Sequence, residues 1–246
     1  MVGGLLLRGM LVGIVAAVVA FGFAKIFGEP QIDRAVAFEE QMDQARGEPP
    51  APEIVGRPTQ AGLGLFTGLV VYSAALGGLF SLVFSFIYGR VGRLGARSTA
   101  ALLALAGFIS IVLVPDLKYP ANPPSIGNPD TIGNRTALFF TMIIISVAAS
   151  VLAISLARSL RSRVAEWNAA LLGTAIYIVI IAMTQSILPE INEVPDHFSA
   201  VVLWHFRVAS LGIYLVLWTT IGLLFGALTE RVFARAASAR LAAMSR

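Results

Sequence analysis

The chain has 246 residues, of which 57% are hydrophobic and only 13% are charged, and its formal net charge is +4. A soluble globule of this composition would have too little polar surface to cover itself, so the sequence predicts a protein surrounded by lipid. The absence of cysteine excludes disulfides, thiolate metal sites and covalent cysteine chemistry. Lysine occurs only at positions 25 and 118, which excludes a Walker-type nucleotide site, because such a site requires a lysine after its glycine-rich loop.

Six apolar segments are long enough to cross a bilayer, for which a helix needs about 20 apolar residues. They cover residues 4–27, 62–88, 98–114, 136–157, 167–188 and 200–228, and the third is the shortest. The first is interpreted as a retained helix and not a signal peptide, because its apolar run is too long and no small-residue cleavage site follows it. We therefore predict an all-α, polytopic transmembrane helix bundle of six spans that forms a single membrane domain over residues 1–246.

The charges between the spans predict the orientation of this bundle. The two termini and the turns after the second and fourth spans carry eleven arginines and two acids, a net charge of +9. The segments on the other side carry seven bases and twelve acids, a net charge of −5. The positive-inside rule then places both termini in the cytoplasm and the protein in the inner (plasma) membrane. Because the arginines are spread over short turns, we interpret them as anchors to the lipid bilayer and expect no nucleic-acid partner.

The first outer segment, residues 28–61, is predicted to be an acidic loop that contains a short amphipathic helix. Its polar side carries Glu39, Glu40 and Asp43, which repel one another at helical spacing unless a cation lies between them. In the flanking spans glycines recur at small-xxx-small spacing, as at Gly9 and Gly13. Such residues let helices approach closely, which indicates tight internal packing or, alternatively, a groove for a partner.

The second outer segment, residues 115–135, contains five prolines, which favour an extended backbone. We predict an ordered polar loop that covers the bundle from outside. Its candidate contact residues are Lys118, Tyr119, Asn122 and Arg135.

The third outer segment, which follows residue 188, concentrates side chains of the types that bind divalent cations. Glu190, Glu193, Asp196 and His197 supply three carboxylates and an imidazole. Their spacing matches no specific metal motif, so a metal-binding outer vestibule, shared with the acids of the first outer segment, and an ordinary solvated surface both remain open. His205 lies eight residues after His197, about 12 Å along a helix, so the two imidazoles cannot share one ion if both are helical.

Within the predicted spans the polar residues are hydroxyls and amides, with no acid or base clearly at mid-depth. No catalytic set of side chains can be assembled from them. We therefore predict that the protein is not an enzyme, binds no permanent cofactor and is not a self-contained proton antiporter.

Several sequence blocks together resemble the CbtA family of predicted cobalt transporter subunits, and the similarity runs essentially from end to end. These blocks are Arg8-Gly-Met, Gly28-Glu-Pro, Ala35-Val-Ala-Phe-Glu-Glu40, Lys118-Tyr-Pro-Ala-Asn-Pro-Pro124, Thr131-Ile-Gly, Leu188-Pro, Glu193-Val-Pro195 and Leu203-Trp-His-Phe-Arg-Val-Ala-Ser210. The resemblance implies cobalt uptake for cobalamin synthesis, with a small single-span, histidine-rich partner, CbtB. Members are often described as having about five spans, whereas the charge pattern of this chain favours an even number.

Two functional hypotheses follow. In the first, the chain is the membrane subunit of a system that takes up cobalt or another divalent cation, and the outer acids form a vestibule that leads to the helix bundle. In the second, it is a structural or assembly subunit of a larger membrane complex and transports nothing.

Overall fold

The computed structural model describes residues 2–47, 54–90, 92, 94–124 and 126–244, with the backbone alone at 240. This described part contains no β-strand and has six helices that are long and apolar enough to cross a bilayer. The helices are α1 (Val2–Arg46), α2 (Arg57–Ile87), α3 (Ala96–Lys118), α4 (Pro129–Leu160), α5 (Glu166–Ile187) and α6 (Ala200–Met244). The predicted all-α architecture with six spans is confirmed, whereas the cytoplasmic placement of the termini stays a prediction.

Three of the helices contain a π-helical turn. These turns are Ala24–Gly28 in α1, Gln60–Gly64 in α2 and Phe108–Leu113 in α3. In α1 and α3 a proline, Pro30 or Pro115, follows two residues after the turn. Proline lacks an N–H and its ring crowds the carbonyl four residues earlier, and the wider π turn relieves this conflict. Accordingly α1 continues through its proline to Arg46, so the acidic helix is joined to the first apolar helix without a break.

The extended backbone predicted for residues 115–135 is found only in the middle of that segment. Pro115 lies inside α3, which ends at Lys118, and Pro129 begins the 3-10 turn that opens α4. Asn128 Oδ1 accepts the backbone N–H of Asp130 at 2.9 Å and so caps this turn. The prediction was wrong at both ends of the segment, because the π turn accommodates Pro115 within α3 and Pro129 is well suited to a first helical turn.

The chain divides into two compact units. Unit 1 contains Met1–Pro30, Pro49–Leu105 and Ala209–Arg246, and unit 2 contains Gln31–Glu48 and Ala106–Val208. Unit 1 thus holds α2 together with parts of α1, α3 and α6, and unit 2 holds α4 and α5 with the remaining parts of those three helices.

In unit 1, α1 and α2 cross with their backbones in direct contact. A Cβ atom added at Gly9 would lie 2.2 Å from the carbonyl oxygen of Gly77, and one added at Gly13 would lie 2.0 Å from that of Ser73. Real Cβ atoms essentially never come this close to another atom. The internal packing role predicted for these glycines is therefore confirmed.

The second close contact of unit 1 joins α3 and α6. A Cβ atom added at Gly222 of α6 would lie 2.4 Å from Cβ of Ala104. One turn further along α6, Phe225 is fully buried and meets Phe80 and Phe84 of α2 edge to face, at centroid distances of 5.5 and 5.1 Å. Small residues and edge-to-face aromatic contacts therefore hold the three helices together.

In unit 2 the helices are joined by hydroxyl pairs inside the apolar layer. Ser110 Oγ of α3 lies 2.6 Å from Ser150 Oγ of α4, and Ser146 Oγ of α4 lies 2.9 Å from Tyr177 Oη of α5. Lipid offers no alternative partner to a buried hydroxyl, so these groups satisfy one another across the helices. They serve packing within unit 2.

Candidate functional site

The candidate site in unit 2 is built on two chain segments, residues 119–128 between α3 and α4 and residues 188–199 between α5 and α6, which we call the polar cap. The two segments are tied directly to each other. Tyr119 has a buried ring, and its hydroxyl donates a hydrogen bond to the carbonyl oxygen of Pro189 at 2.9 Å. Tyr119, a predicted loop contact, therefore fixes the start of one segment against the start of the other.

An ion pair lies beside this hydrogen bond. Nζ of Lys118 is 3.9 Å from Oε1 of Glu190, and the side chains are 11% and 94% exposed, respectively. A pair with one almost fully exposed member contributes little to stability. The carboxylate of Glu190 therefore stays accessible to cations in the surrounding water.

Glu193 lies at the centre of the polar cap. Its Oε2 accepts the backbone N–H of Asn128 at 2.7 Å, its Oε1 accepts the Thr131 hydroxyl at 2.6 Å, and Nε of Arg135 lies 3.5 Å from Oε2. The hydrogen bonds from Thr131 and Asn128, and then the positive charge of Arg135, hold the pKa of Glu193 below its ordinary value. This carboxylate is therefore an anion that cross-links the two segments.

Arg135 also reaches back to the loop that precedes it. Its NH2 donates to the carbonyl oxygen of Asn128 at 3.2 Å, and the guanidinium lies against Gly127, where an added Cβ would be 2.4 Å from NH1. Gly127 has a φ of +123°, a conformation that glycine adopts freely. The sharp turn and the guanidinium therefore both require a glycine at this position.

Arg207, on the first turns of α6, holds the middle of the Pro-rich segment. Its Nε donates to the carbonyl oxygen of Ala121 at 3.3 Å, and its NH2 donates to Oδ1 of Asn122 at 2.9 Å. The carboxylate of Asp116, near the end of α3, lies close enough to attract the same guanidinium. One arginine thus connects α6, α3 and the predicted loop contact Asn122.

A small apolar cluster underlies this network. Ala35 of α1, Ile126 and Phe198 are buried together, and the rings of Phe38 and Phe198 meet edge to face at a centroid distance of 5.0 Å. Phe198 directly follows the predicted ligand His197. The acidic half of α1 is therefore packed onto both segments of the polar cap.

The other predicted metal ligands lie wholly or partly at the surface. Glu39, Glu40, Asp196 and His197 are exposed, and Asp43 is half-buried. Within the described ranges, no three His, Asp or Glu side chains come close enough together to hold a metal ion. The arrangement therefore suits electrostatic attraction of cations more than chelation of one ion.

Besides Asn128, which takes part through its backbone, four residues of the network were not among the predicted site residues: Asp116, Gly127, Thr131 and Arg207. Only Gly127 carries a local signal that identifies it, since Gly-Asn-Pro is a typical turn sequence. The partners of the other three lie far away in sequence, as with Thr131 and Glu193, which are 62 residues apart. No local pattern reveals such pairs.

The state of Glu193 predicts a pH-dependent stability. Because the pKa of this carboxyl is lower in the folded protein than in the unfolded chain, its contribution is complete above the unfolded value of about 4.3 and is lost as the pH falls through the folded value. In thermal unfolding of the detergent-solubilised protein, Glu193→Gln is expected to melt below the wild type at pH 7, and the difference should shrink below about pH 4.3. Glu190→Gln, at the exposed acid, is the control. A difference for Glu193→Gln that does not change with pH would contradict this assignment.

Comparison with known proteins gives one finding. A family model described as a probable cobalt transporter subunit (CbtA) matches residues 2–230, which include the whole polar cap. No curated protein and no solved structure gives a significant match.

Proposed function

Because the chain belongs to the CbtA family of probable cobalt transporter subunits, we propose that it is the inner-membrane subunit of a system that takes up cobalt or a similar divalent cation. A transport subunit of this family with six apolar helices is a multi-pass membrane protein. The outward placement of the polar cap follows from the charge asymmetry of the chain.

We further propose that the acids around the polar cap form an outer vestibule. The observation that supports it best is the 94% exposure of Glu190, accompanied by the exposed side chains of Glu39, Glu40 and Asp196. Several exposed carboxylates near the polar cap would raise the local concentration of cations and the rate at which they arrive. Carboxylates that bind a cation weakly and one at a time also release it quickly, whereas a site that chelates the ion tightly would release it slowly.

The composition of the chain favours a partner for the next step. Co²⁺ binds well to imidazole, and this chain has only two histidines and no cysteine. A small single-span, histidine-rich partner of the CbtB type would supply the nitrogen ligands that the vestibule lacks. The bundle would then provide a path lined by hydroxyls and amides.

Uptake of radioactive cobalt into cells without endogenous cobalt transporters tests this proposal. The wild type is compared, alone and with the candidate partner, with the triple variant Glu190→Gln/Asp196→Asn/Glu40→Gln, which leaves the cross-linking Glu193 intact. We expect uptake at low cobalt concentrations to fall several-fold at an unchanged protein level, and saturating cobalt to restore it. Glu166→Gln, an exposed acid predicted to lie on the opposite side of the membrane, is the control. Equal uptake by the triple variant and the wild type would rule out the vestibule.

The second candidate function is a structural or assembly subunit of a larger membrane complex. It is favoured by the mutual satisfaction of the hydroxyls in unit 2, which leaves Ser110, Ser150, Ser146 and Tyr177 committed to packing. Absence of uptake in every combination, together with stable copurification with other membrane proteins, would support this alternative.

A further inference from the structure

An open groove of about 310 Å³ lies in unit 1 between the first half of α1 and the second half of α6. Apolar side chains line it from both helices: Leu7, Leu11, Val12 and Val15 from α1, and Leu224 and Leu228 from α6. Its volume is in the range of ligand pockets. A surface of this kind suits a hydrocarbon chain.

One charged residue, Arg8, also lines the groove. It shares a face of α1 with Leu11 and Val15, because positions 8, 11 and 15 follow the helical spacing of three and four residues. Its NH1 donates to Oγ1 of Thr229 on α6 at 3.3 Å, which holds the guanidinium where the apolar α6 wall ends, one residue after Leu228. The apolar part of the groove therefore ends at the positively charged guanidinium of Arg8.

Beyond Leu228 the face of α6 that lines the groove changes from apolar to positively charged residues. Leu224 and Leu228 are followed on their own helical face by Arg231 and Arg235, and the four positions lie within about 60° of one another around the axis. Both arginines are exposed. The nearby acid Glu230 does not oppose them, because its carboxylate forms an ion pair with Nε of Arg97 of α3 at 2.5 Å.

We propose that this groove binds an anionic phospholipid, with an acyl chain along the leucines and valines and the phosphate among Arg8, Arg231 and Arg235. The apolar walls match the hydrocarbon chain, and three guanidinium groups match a headgroup with net negative charge. A zwitterionic headgroup has no net charge to offset the three guanidinium groups, and its own cationic group would be repelled by them. Basic pockets between membrane helices recognise anionic headgroups by the same two features.

The charge pattern of the chain agrees with this occupant. Arg8, Arg231 and Arg235 belong to the eleven arginines that the positive-inside rule predicts to lie on the cytoplasmic side of the membrane. Anionic lipids attract basic segments at that surface. The bound lipid would fill the space between α1 and α6.

Native mass spectrometry of the full-length protein in mild detergent tests this proposal, with phosphatidylglycerol and phosphatidylcholine of the same acyl composition as probes. We expect the wild type to bind phosphatidylglycerol more tightly. The double variant Arg231→Gln/Arg235→Gln should weaken phosphatidylglycerol binding at least about tenfold, since each arginine near the lipid surface contributes to the attraction. Leu11→Trp, which fills the groove, should weaken binding of both lipids.

The matched control is Arg161→Gln/Arg163→Gln, which removes two arginines from the turn between α4 and α5, predicted to lie on the same side of the membrane. It should leave lipid binding within about twofold of the wild type, because these residues lie on neither of the two helices that line the groove. Equal weakening by both double variants would overturn the proposal in favour of diffuse attraction. Equal affinity for the two lipids, displacement of phosphatidylglycerol by inorganic phosphate at constant ionic strength, or cross-linking of Leu11 to a helix of another protein would each overturn it as well.

Discussion

Replacing Gly13 by leucine is expected to abolish the folded state of unit 1. Even a single added carbon would lie 2.0 Å from the carbonyl oxygen of Ser73, which is helix backbone and cannot rotate away. The two helices would have to separate, and their direct contact would be lost along its length. Overpacking of this severity destabilises by about 3 kcal/mol or more, a large part of the total stability of a domain. The variant should be nearly absent from membranes, as measured by fluorescence-detected size exclusion.

The matched control is the same substitution at Gly22, on the same helix. An added Cβ atom there has no heavy atom within 4 Å, and the residue is exposed. Gly22→Leu should therefore accumulate and melt like the wild type. If Gly13→Leu also did so, α1 and α2 would not cross at these residues.

Replacing Arg207 by methionine should produce the second large effect. The change removes the donors to Ala121 and Asn122 and leaves the carboxylate of Asp116 without its attracting charge. Losing hydrogen bonds from a charged donor is expected to destabilise unit 2 by about 2 kcal/mol. The measurement is thermal unfolding in detergent.

A double-mutant cycle separates the ion pair from the hydrogen bonds. If Asp116 and Arg207 attract each other, then Arg207→Met/Asp116→Asn should recover part of the stability lost in Arg207→Met, because it leaves no charge unbalanced. Arg163→Met, at an exposed arginine of a short turn, is the control for loss of charge alone. Purely additive effects at Asp116 and Arg207 would show that they do not interact.

The six helices could be predicted because the bilayer imposes one strong constraint. Every backbone polar group in hydrocarbon must be paired within the chain, so a long apolar segment has to be a helix. The close contacts at Gly9 and Gly13 could be predicted for a related reason, since membrane helices approach one another where side chains are small. These features depend on local sequence alone.

The charge pairs of the polar cap could not be predicted in the same way. Glu193 was grouped with the possible metal ligands by residue type, yet its partners Thr131 and Arg135 lie about 60 residues earlier in the chain. Arg207 and Asn122 are 85 residues apart. Tertiary packing decides which acid pairs with which base. It leaves the carboxylate of Glu190 exposed to water and gives that of Glu193 three partners, a difference that residue type does not reveal.

The π-helical turn Phe108–Leu113 also determines which way the end of α3 faces. A π turn holds about one residue more than an α-helical turn, so every position after it is rotated by about 100° relative to an uninterrupted α-helix. Deleting a single residue there would restore the regular helix and turn Asp116 away from Arg207 without changing either side chain. The number of residues between Gly107 and Pro115 is thus itself a structural requirement, and length variation at this point alters the polar cap as much as a substitution within it.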